Sequence, residues 1–225
     1  GLVSMNEDTP QDLVARLAAI PYTGAISDIL DEMGLTNQVL PKEIQSIHPG
    51  QTLAGRALTL LGGLTASTDP DIIFRPFLKM LGELRPGDLL VSQPNDSGAA
   101  HLGELSSETA QYRGARGAVI DGGVRDVDYI IKLGFPVFAR YKTPRDINGR
   151  WHLVDYNVPI LIDNVRINPG DYVVGDRDGV VIIPQGVAAE VVEKGEAVVH
   201  TENLVRKAIL EGTHPLEAFD KYGRF

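Results

Sequence analysis

Three observations predict an α/β protein rich in short strands. Glycine and proline number 24 and 14 in 225 residues, about 17% against a usual ~12%, so tight turns are frequent and spread along the chain. Through the middle of the chain, apolar strand-like runs alternate with helical spacings; beyond them the pattern changes to hairpins. Hydrophobic residues make up 43% of the chain, enough to fill the core of one large domain.

The elements follow in order. Thr9-Pro10-Gln11-Asp12 opens the first helix, with Thr9 as N-cap and Pro10 in the first turn. A second helix starts at Thr23, carries Ile26, Ile29, Leu30 and Met33 at helical spacing, and ends at Gly34. Residues 52–61 read as a strand closed by Gly62-Gly63, residues 69–84 as one helix and residues 88–91 as a short buried strand. The alternation continues with a helix over 102–112, a strand over 118–120, a helix over Val127–Leu133 and a strand over 136–139. Residues 159–162, 172–174 and Gly179–Ile183 read as hairpin strands, and a helix over about 187–211 stops at Gly212. Pro86-Gly87-Asp88 and Pro169-Gly170-Asp171 echo each other as a turn feeding a strand, without a fixed repeat period. No linker divides the chain, so one domain over 1–225 is expected, with a helical tail from about 187 to the end. Gly1 to Ser4, ahead of Met5, reads as an expression remnant.

Composition excludes several function classes. With 21 basic and 30 acidic residues the net charge is −9, which argues against a nucleic-acid partner and suits a basic protein partner instead. Without cysteine, there are no disulfides, thiolate metal sites or cysteine nucleophiles. No apolar run approaches ~18 residues, so no membrane partner is expected and the location expected is cytoplasmic. Phosphate-loop, nucleophile-elbow and zinc-protease patterns are missing. His48, His101, His152, His200 and His214 have no metal-ligand spacing and read as structural or surface residues, and Ser106-Ser107 has no activating partner at a revealing spacing.

The informative stretch is Gly117-Ala118-Val119-Ile120-Asp121-Gly122-Gly123-Val124-Arg125-Asp126. A strand runs into two glycines that permit a sharp turn and close ligand approach. Arg125 and Asp126 would then stand between strand end and helix start, where open α/β sheets bind ligands. Arginine offers a fork for a carboxylate and aspartate a hard oxygen for Mg²⁺; a helix-capping Asp and a surface Arg suit the same spacing. Upstream, the polar loop Asn95-Asp96-Ser97-Gly98 leads into a helix whose first N–H groups suit an anion.

Together these motifs resemble the RraA-like family, which includes metal-dependent pyruvate aldolases and the regulator of ribonuclease activity A. Thr23-Gly24-Ala25-Ile26-Ser27-Asp28, Gly103-Glu104-Leu105, Gly134-Phe135-Pro136-Val137 and Gly179-Val180-Val181-Ile182-Ile183-Pro184 carry the likeness with the Arg125-Asp126 segment. The resemblance implies a compact layered α/β/β sandwich of the swivelling-domain type, assembled as a homotrimer or homohexamer. It implies Asp126 as the ligand of Mg²⁺ or Mn²⁺, and Arg125 and Glu104 as catalytic residues. Gly103, Glu104, Leu105, Ser106 and Arg125 would bind a small 2-oxo acid. The implied function is a lyase acting by retro-aldol cleavage or oxaloacetate-type decarboxylation through a pyruvate enolate; the alternative is a non-catalytic regulator that binds and inhibits an RNA-degrading enzyme.

The family's aldolases resemble a pattern of Asp, twenty residues, Arg-Asp, two residues, then Glu or Asp. Here the first position is Glu104 and the last is Tyr129, with Asp128 one place early. These departures imply metal and pyruvyl binding ahead of efficient aldol cleavage. Residues 143–151 read either as a segment shaping the distal end of another substrate or as a turn or inter-subunit segment.

Overall fold

The computed structural model describes residues 8–20 and 22–225; the extension ahead of Met5 lies outside them. Thr9 caps α1 (Pro10–Ala18) through a reciprocal pair of bonds with Asp12, which satisfies two donors that a helix start leaves open. After α2 (Thr23–Glu32) and the two-residue β1 (Gln45–Ser46), the chain enters β2 (Leu53–Leu64). The expected helix over 69–84 is two helices, α3 (Pro70–Ile73) and α4 (Arg75–Gly82). Pro76 cannot donate an N–H inside a helix but suits the first turn of a new one, so the chain breaks at Phe74 and restarts.

Then β3 (Asp88–Gln93), α5 (Glu104–Tyr112), β4 (Ala118–Val124), α6 (Val127–Leu133) and β5 (Val137–Lys142) follow the expected alternation. Strand β6 (Trp151–Tyr156) was not anticipated; β7 (Ile160–Ile162), β8 (Val165–Ile167), β9 (Tyr172–Asp176) and β10 (Gly179–Ile183) form the hairpins. The tail is α7 (Ala188–Leu210), which ends before Gly212 in the left-handed region, and then an unanticipated α8 (Pro215–Tyr222).

Strands β2, β3, β4 and β5 are parallel neighbours, flanked by antiparallel β1 at one end and by β9 and β10 at the other. Leu40 donates to Val180 O, and Val39 pairs with Val181, shortly before β1 joins β5. One chain segment thus reaches from one sheet edge to the other and nearly closes the sheet. Alternate residues of β3 face opposite ways: Leu90 packs with the helices α4 to α6, while Leu89 and Val91 pack with Phe138 and the β7–β8 hairpin. A third cluster seats α1, α2 and α7 on Val174, Val181 and Ile183. Helices, large sheet and small hairpin make the layered α/β/β arrangement that the resemblance implied. No single helix among the described residues is long and apolar enough to cross a membrane.

Both Pro-Gly-Asp turns meet on β2. Gly87 O accepts the Arg56 N–H, and the Ala57 N–H donates to Asp171 O. In each turn the Asp carboxylate accepts the N–H three residues back, Arg85 for Asp88 and Asn168 for Asp171. The echo is reused turn chemistry.

Gly62-Gly63 does not close β2. The strand runs on to Leu64, and β6 pairs with it through a bulge at Leu61/Gly62. A Cβ on Gly62 would lie 2.3 Å from the Trp151 ring, so the missing side chain is what lets the buried indole lie against the strand. Gly62→Ala should therefore destabilise the protein by about 1–3 kcal/mol through overpacking, read as a lower urea midpoint; an unchanged midpoint would show that the indole relaxes freely.

Candidate functional site

Parallel strands β2 to β5 each send the segment that follows them to one cavity of about 360 Å³. After β2 come Ile73, Phe74, Phe77 and Leu78; after β3, residues 100–106; after β4, Arg125 and Asp126; after β5, Asp146, Ile147 and Trp151. The carboxyl side of a parallel sheet is where such folds bind ligands, and Arg125 and Asp126 stand there as the spacing suggested. Part of the 143–151 segment therefore reaches the cavity within one protomer.

Strand β4 is irregular where it matters. Its pairing with β5 slips between Ile120 and Gly123, a bulge of the kind that re-aims neighbouring side chains. Gly122 and Gly123 lie inside the strand, not in the sharp turn expected of them. A Cβ on Gly122 would lie 2.5 Å from His101 Nδ1, and one on Gly123 2.3 Å from the Tyr141 ring. The glycines make room for two rings.

Asp126 has a left-handed backbone, φ 58° and ψ 37°, which Asp and Asn tolerate better than most residues. It precedes α6 yet gives that helix no side-chain cap. Instead Oδ2 accepts the N–H of Glu104, the first residue of α5, at 3.0 Å. Gly103 passes so close that a Cβ there would lie 2.9 Å from that oxygen. Arg125 Nε is 3.9 Å from Asp126 Oδ2, and its Nη2 is 3.5 Å from Asp146 Oδ1. The Arg125 N–H donates to Leu102 O, locking the strand end to the loop before α5.

The remaining expected residues divide. Gly103, Glu104, Leu105 and Ser106 all line the cavity. The N–H of Glu104 is taken by Asp126, whereas those of Leu105 and Ser106 have no acceptor among the described residues, as helix geometry leaves them. Tyr129 and Asp128 sit on the exposed side of α6 and do not line the cavity; Lys132 Nζ lies 5.7 Å over the Tyr129 ring.

Two partnerships at the site were not anticipated from the sequence: Asp146 with Arg125, and Asp96 with His101. His101 Nε2 lies 2.8 Å from Asp96 Oδ2, and Nδ1 accepts the Gly123 N–H at 3.1 Å. The second bond requires an unprotonated Nδ1, so Nε2 carries the proton. Burial pushes the His101 imidazole below its ordinary value, with Asp96 opposing only in part. For Asp96, burial pushes upward, but hydrogen bonds from His101, Ala99 and Gly98 outweigh it and leave the carboxyl low. Tyr141 donates to Ala99 O at 2.8 Å, and burial, with the Asp96 charge, pushes its hydroxyl up to about 12. Trp151 completes the support, edge-on to His101 at 4.8 Å and donating to Pro94 O at 2.8 Å. His101 is structural, as expected, but what it holds is the site.

The chain is similar to several known proteins in sequence and fold. The family model described as RraA-like, Aldolase/RraA, matches residues 23–182. A candidate 4-hydroxy-4-methyl-2-oxoglutarate aldolase of Halalkalibacterium halodurans is 32% identical over 92% of this chain and 93% of its own length. Several other relatives are matched over only about half of their length. A solved structure from Pseudomonas syringae has a TM-score of 0.81 at 30% identity, covering 94% of this chain and 99% of that one. Streptomyces coelicolor RraAS2, described as an unusual member of the RNase ES inhibitor RraA protein family, has a TM-score of 0.78 at 27% identity over 89% and 98%.

The histidine carries a pH prediction. Its folded-state pKa lies below the unfolded ~6.5, so the unfolded chain binds the proton more readily. The stabilisation is intact above about pH 6.5 and is lost progressively as pH falls below it; Asp96 adds a further loss only below its own unfolded ~3.9. Thermal melts should therefore show a decline between pH 7 and pH 5. His101→Asn, which retains an acceptor for Gly123, should flatten that decline from a lower starting stability. An equal slope in the variant would clear His101 of the effect.

Proposed function

This chain belongs to the RraA-like family, and on that premise we propose that it is a divalent-metal-dependent lyase of 2-oxo acids. The reaction would be retro-aldol cleavage or oxaloacetate-type decarboxylation. Aldolase names among the relatives support a lyase at the level of the family. The single observation that carries the reading is the Arg125–Asp126 pair at the end of β4, with Asp126 tied to the start of α5 inside a cavity.

The residues fit a weakly caged hard cation. Among the described residues no three His, Asp or Glu side chains gather into a metal cage, which disfavours a zinc-type site. Asp126 lines the cavity, and its Oδ1 accepts no hydrogen bond among the described residues. One hard carboxylate oxygen in an open site suits Mg²⁺ or Mn²⁺, which keep most of their waters. Asp126 would hold the ion, whose positive charge would polarise the 2-oxo group.

The chain's own residues do the rest. Arg125 receives the substrate through its fork and offsets the negative charge that grows on the C2 oxygen as the bond at C3 breaks. The N–H groups of Leu105 and Ser106, at the positive end of α5, orient the carboxylate; Gly103 keeps Asp126 close to that helix start. Glu104 takes the hydroxyl proton in aldol cleavage, a proton that decarboxylation does not have to remove. The assembly proposed is a homotrimer or homohexamer.

The likeness to RraAS2 favours one second reading, a non-catalytic regulator that binds and inhibits an RNA-degrading enzyme. A net charge of −9 suits a basic partner segment. Pyruvate release from 4-hydroxy-2-oxo acids and oxaloacetate, with and without Mg²⁺, separates the two. Metal-dependent release supports the lyase; no release, together with inhibition of an RNA-degrading enzyme, supports the regulator.

Asp126→Asn is the sharper test of the metal ligand. Asparagine accepts the left-handed backbone and the Glu104 N–H, so the melting temperature should hold while Mg²⁺-stimulated turnover falls at least about a hundredfold, the scale of one lost charge-stabilising group. Full Mg²⁺-stimulated turnover in the variant would remove Asp126 from that role. Arg125→Lys keeps the charge but loses the fork, and kcat/KM should drop about tenfold or more. Unchanged constants would make Arg125 a structural residue.

A further inference from the structure

Strand β3 pairs with β4 only as far as Ile120. Beyond that point the residues that follow β3 take over the same edge of β4. Ala100 bridges Gly123, the His101 N–H donates to Gly123 O at 2.8 Å, and the Arg125 N–H donates to Leu102 O. The Gly123 N–H is met by a side chain, the His101 ring, whose Nδ1 accepts it at 3.1 Å. The Ala99 carbonyl nearby already takes the Tyr141 hydroxyl. His101 alone thus engages both the N–H and the carbonyl of Gly123, two positions before Arg125 and where β4 resumes its pairing with β5 after the slip. The ring has little freedom. Its side chain is 1% exposed, Nε2 lies 2.8 Å from Asp96 Oδ2, and Trp151 stands edge-on to it.

We propose that His101 is a positioning residue of the candidate site: as a neutral imidazole held by Asp96, it keeps the end of β4 against the loop before α5 and so sets where Arg125 and Asp126 stand. Its effect on turnover rests on the lyase reading; its effect on the local structure does not. A carboxylate can only accept, so Asp96 keeps the proton on Nε2 and leaves the lone pair of Nδ1 to Gly123. A proton on Nδ1 would set N–H against N–H at Gly123 and turn the tie into a repulsion. The strand end and the loop would then part at the bulge, and the bonds from Arg125 to Leu102 and from Glu104 to Asp126 would lose their common spacing. The titratable groups around the ring are Asp96 from its own loop and Tyr141 from β5, while Glu104, Arg125, Asp126 and Asp146 share its cavity. Every one of these bonds lies within one protomer, whichever oligomer forms.

Two substitutions separate the two ring nitrogens. In His101→Asn the amide oxygen stands near the place of Nδ1 and can accept the Gly123 N–H; in His101→Gln the amide stands near the place of Nε2 and meets Asp96 alone. Hydrogen exchange of the full chain at neutral pH, read by mass spectrometry, should show residues 102–106 and 123–126 losing protection in His101→Gln and keeping it in His101→Asn. With Mg²⁺ and oxaloacetate, kcat/KM should fall about 10–100-fold in His101→Gln, the usual cost of removing a group that orients a ligand-binding side chain from behind. His101→Asn should rescue most of that loss. In the unmodified protein kcat/KM should also decline below about pH 6.5, together with a change in the emission of Trp151, the one tryptophan of the chain. Neither pH effect should survive in His101→Asn, and these profiles carry the test should His101→Gln fail to fold. Equal exchange in the two variants overturns the proposal, as does turnover lost equally in both or a pH response of Trp151 that persists in His101→Asn. Loosening confined to His101→Gln, with no pyruvate released by the unmodified protein, upholds the positioning role and removes the lyase reading.

Discussion

Strand β2 is longer than any of its partners, and its backbone must be paired along both edges. Twelve residues run from Leu53 to Leu64. On one edge β3 pairs from Arg56 to Leu61; on the other, β9 takes Leu53 to Arg56 and β6 takes Leu60 to Leu64. Between these two partners the chain bridges with single bonds, from Gly170 N–H to Ala57 O and from Asn157 N–H to Thr59 O. A buried strand with unpaired groups would be unstable, so β6 and β9 have to arrive where they do. The arrival of β6 brings Trp151 across Gly62, and Trp151 then supports His101 and forms part of the cavity wall.

From that strand outward, the site is an arrangement of chain ends held by backbone hydrogen bonds. His101 grips Gly123, Leu102 grips Arg125, and Asp126 grips Glu104. Three ties join the loop before α5 to the end of β4, so the guanidinium, the carboxylate and the start of α5 hold one spacing. The left-handed backbone at Asp126 accompanies these ties: in it the side chain of the residue before α6 reaches back to the start of α5. Residues in such conformations persist where the surroundings over-determine them, and here the surroundings are two helix starts and a bulged strand.

The chemistry has a matching economy. A neutral His101 and a Tyr141 hydroxyl pushed up to about 12 act as neutral hydrogen-bonding groups, which leaves Arg125 as the cation lining the cavity among the described residues. The carboxylates beside it keep the guanidinium oriented without burying it. Glu104, Arg125, Asp126 and Asp146 give the cavity one polar side, and Ile73, Phe74, Phe77 and Leu78 give it an apolar one.

Much of this was legible in the amino-acid order because it depends on local chemistry. The Thr9 cap, the Pro-Gly-Asp turns, the helix end before Gly212 and the strand–helix alternation each follow from a few neighbouring residues, and the motif order marked the family and the Arg125-Asp126 site. Other features depend on residues far apart in the chain. Gly62-Gly63 looked like a strand end because a tryptophan almost ninety positions later was needed to explain it. Gly122-Gly123 looked like a turn because the rings of His101 and Tyr141, which require the space, arrive from the loop before α5 and from β5. The partners of Asp96, His101 and Asp146 bore no local mark, since their roles depend on Gly123 and Arg125. Local order determined the elements and set Arg125 beside Asp126; tertiary structure decided which edges of β2 were shared, which glycines were spaces, and that the pair faces an apolar wall, because each of these depends on residues far apart in the chain.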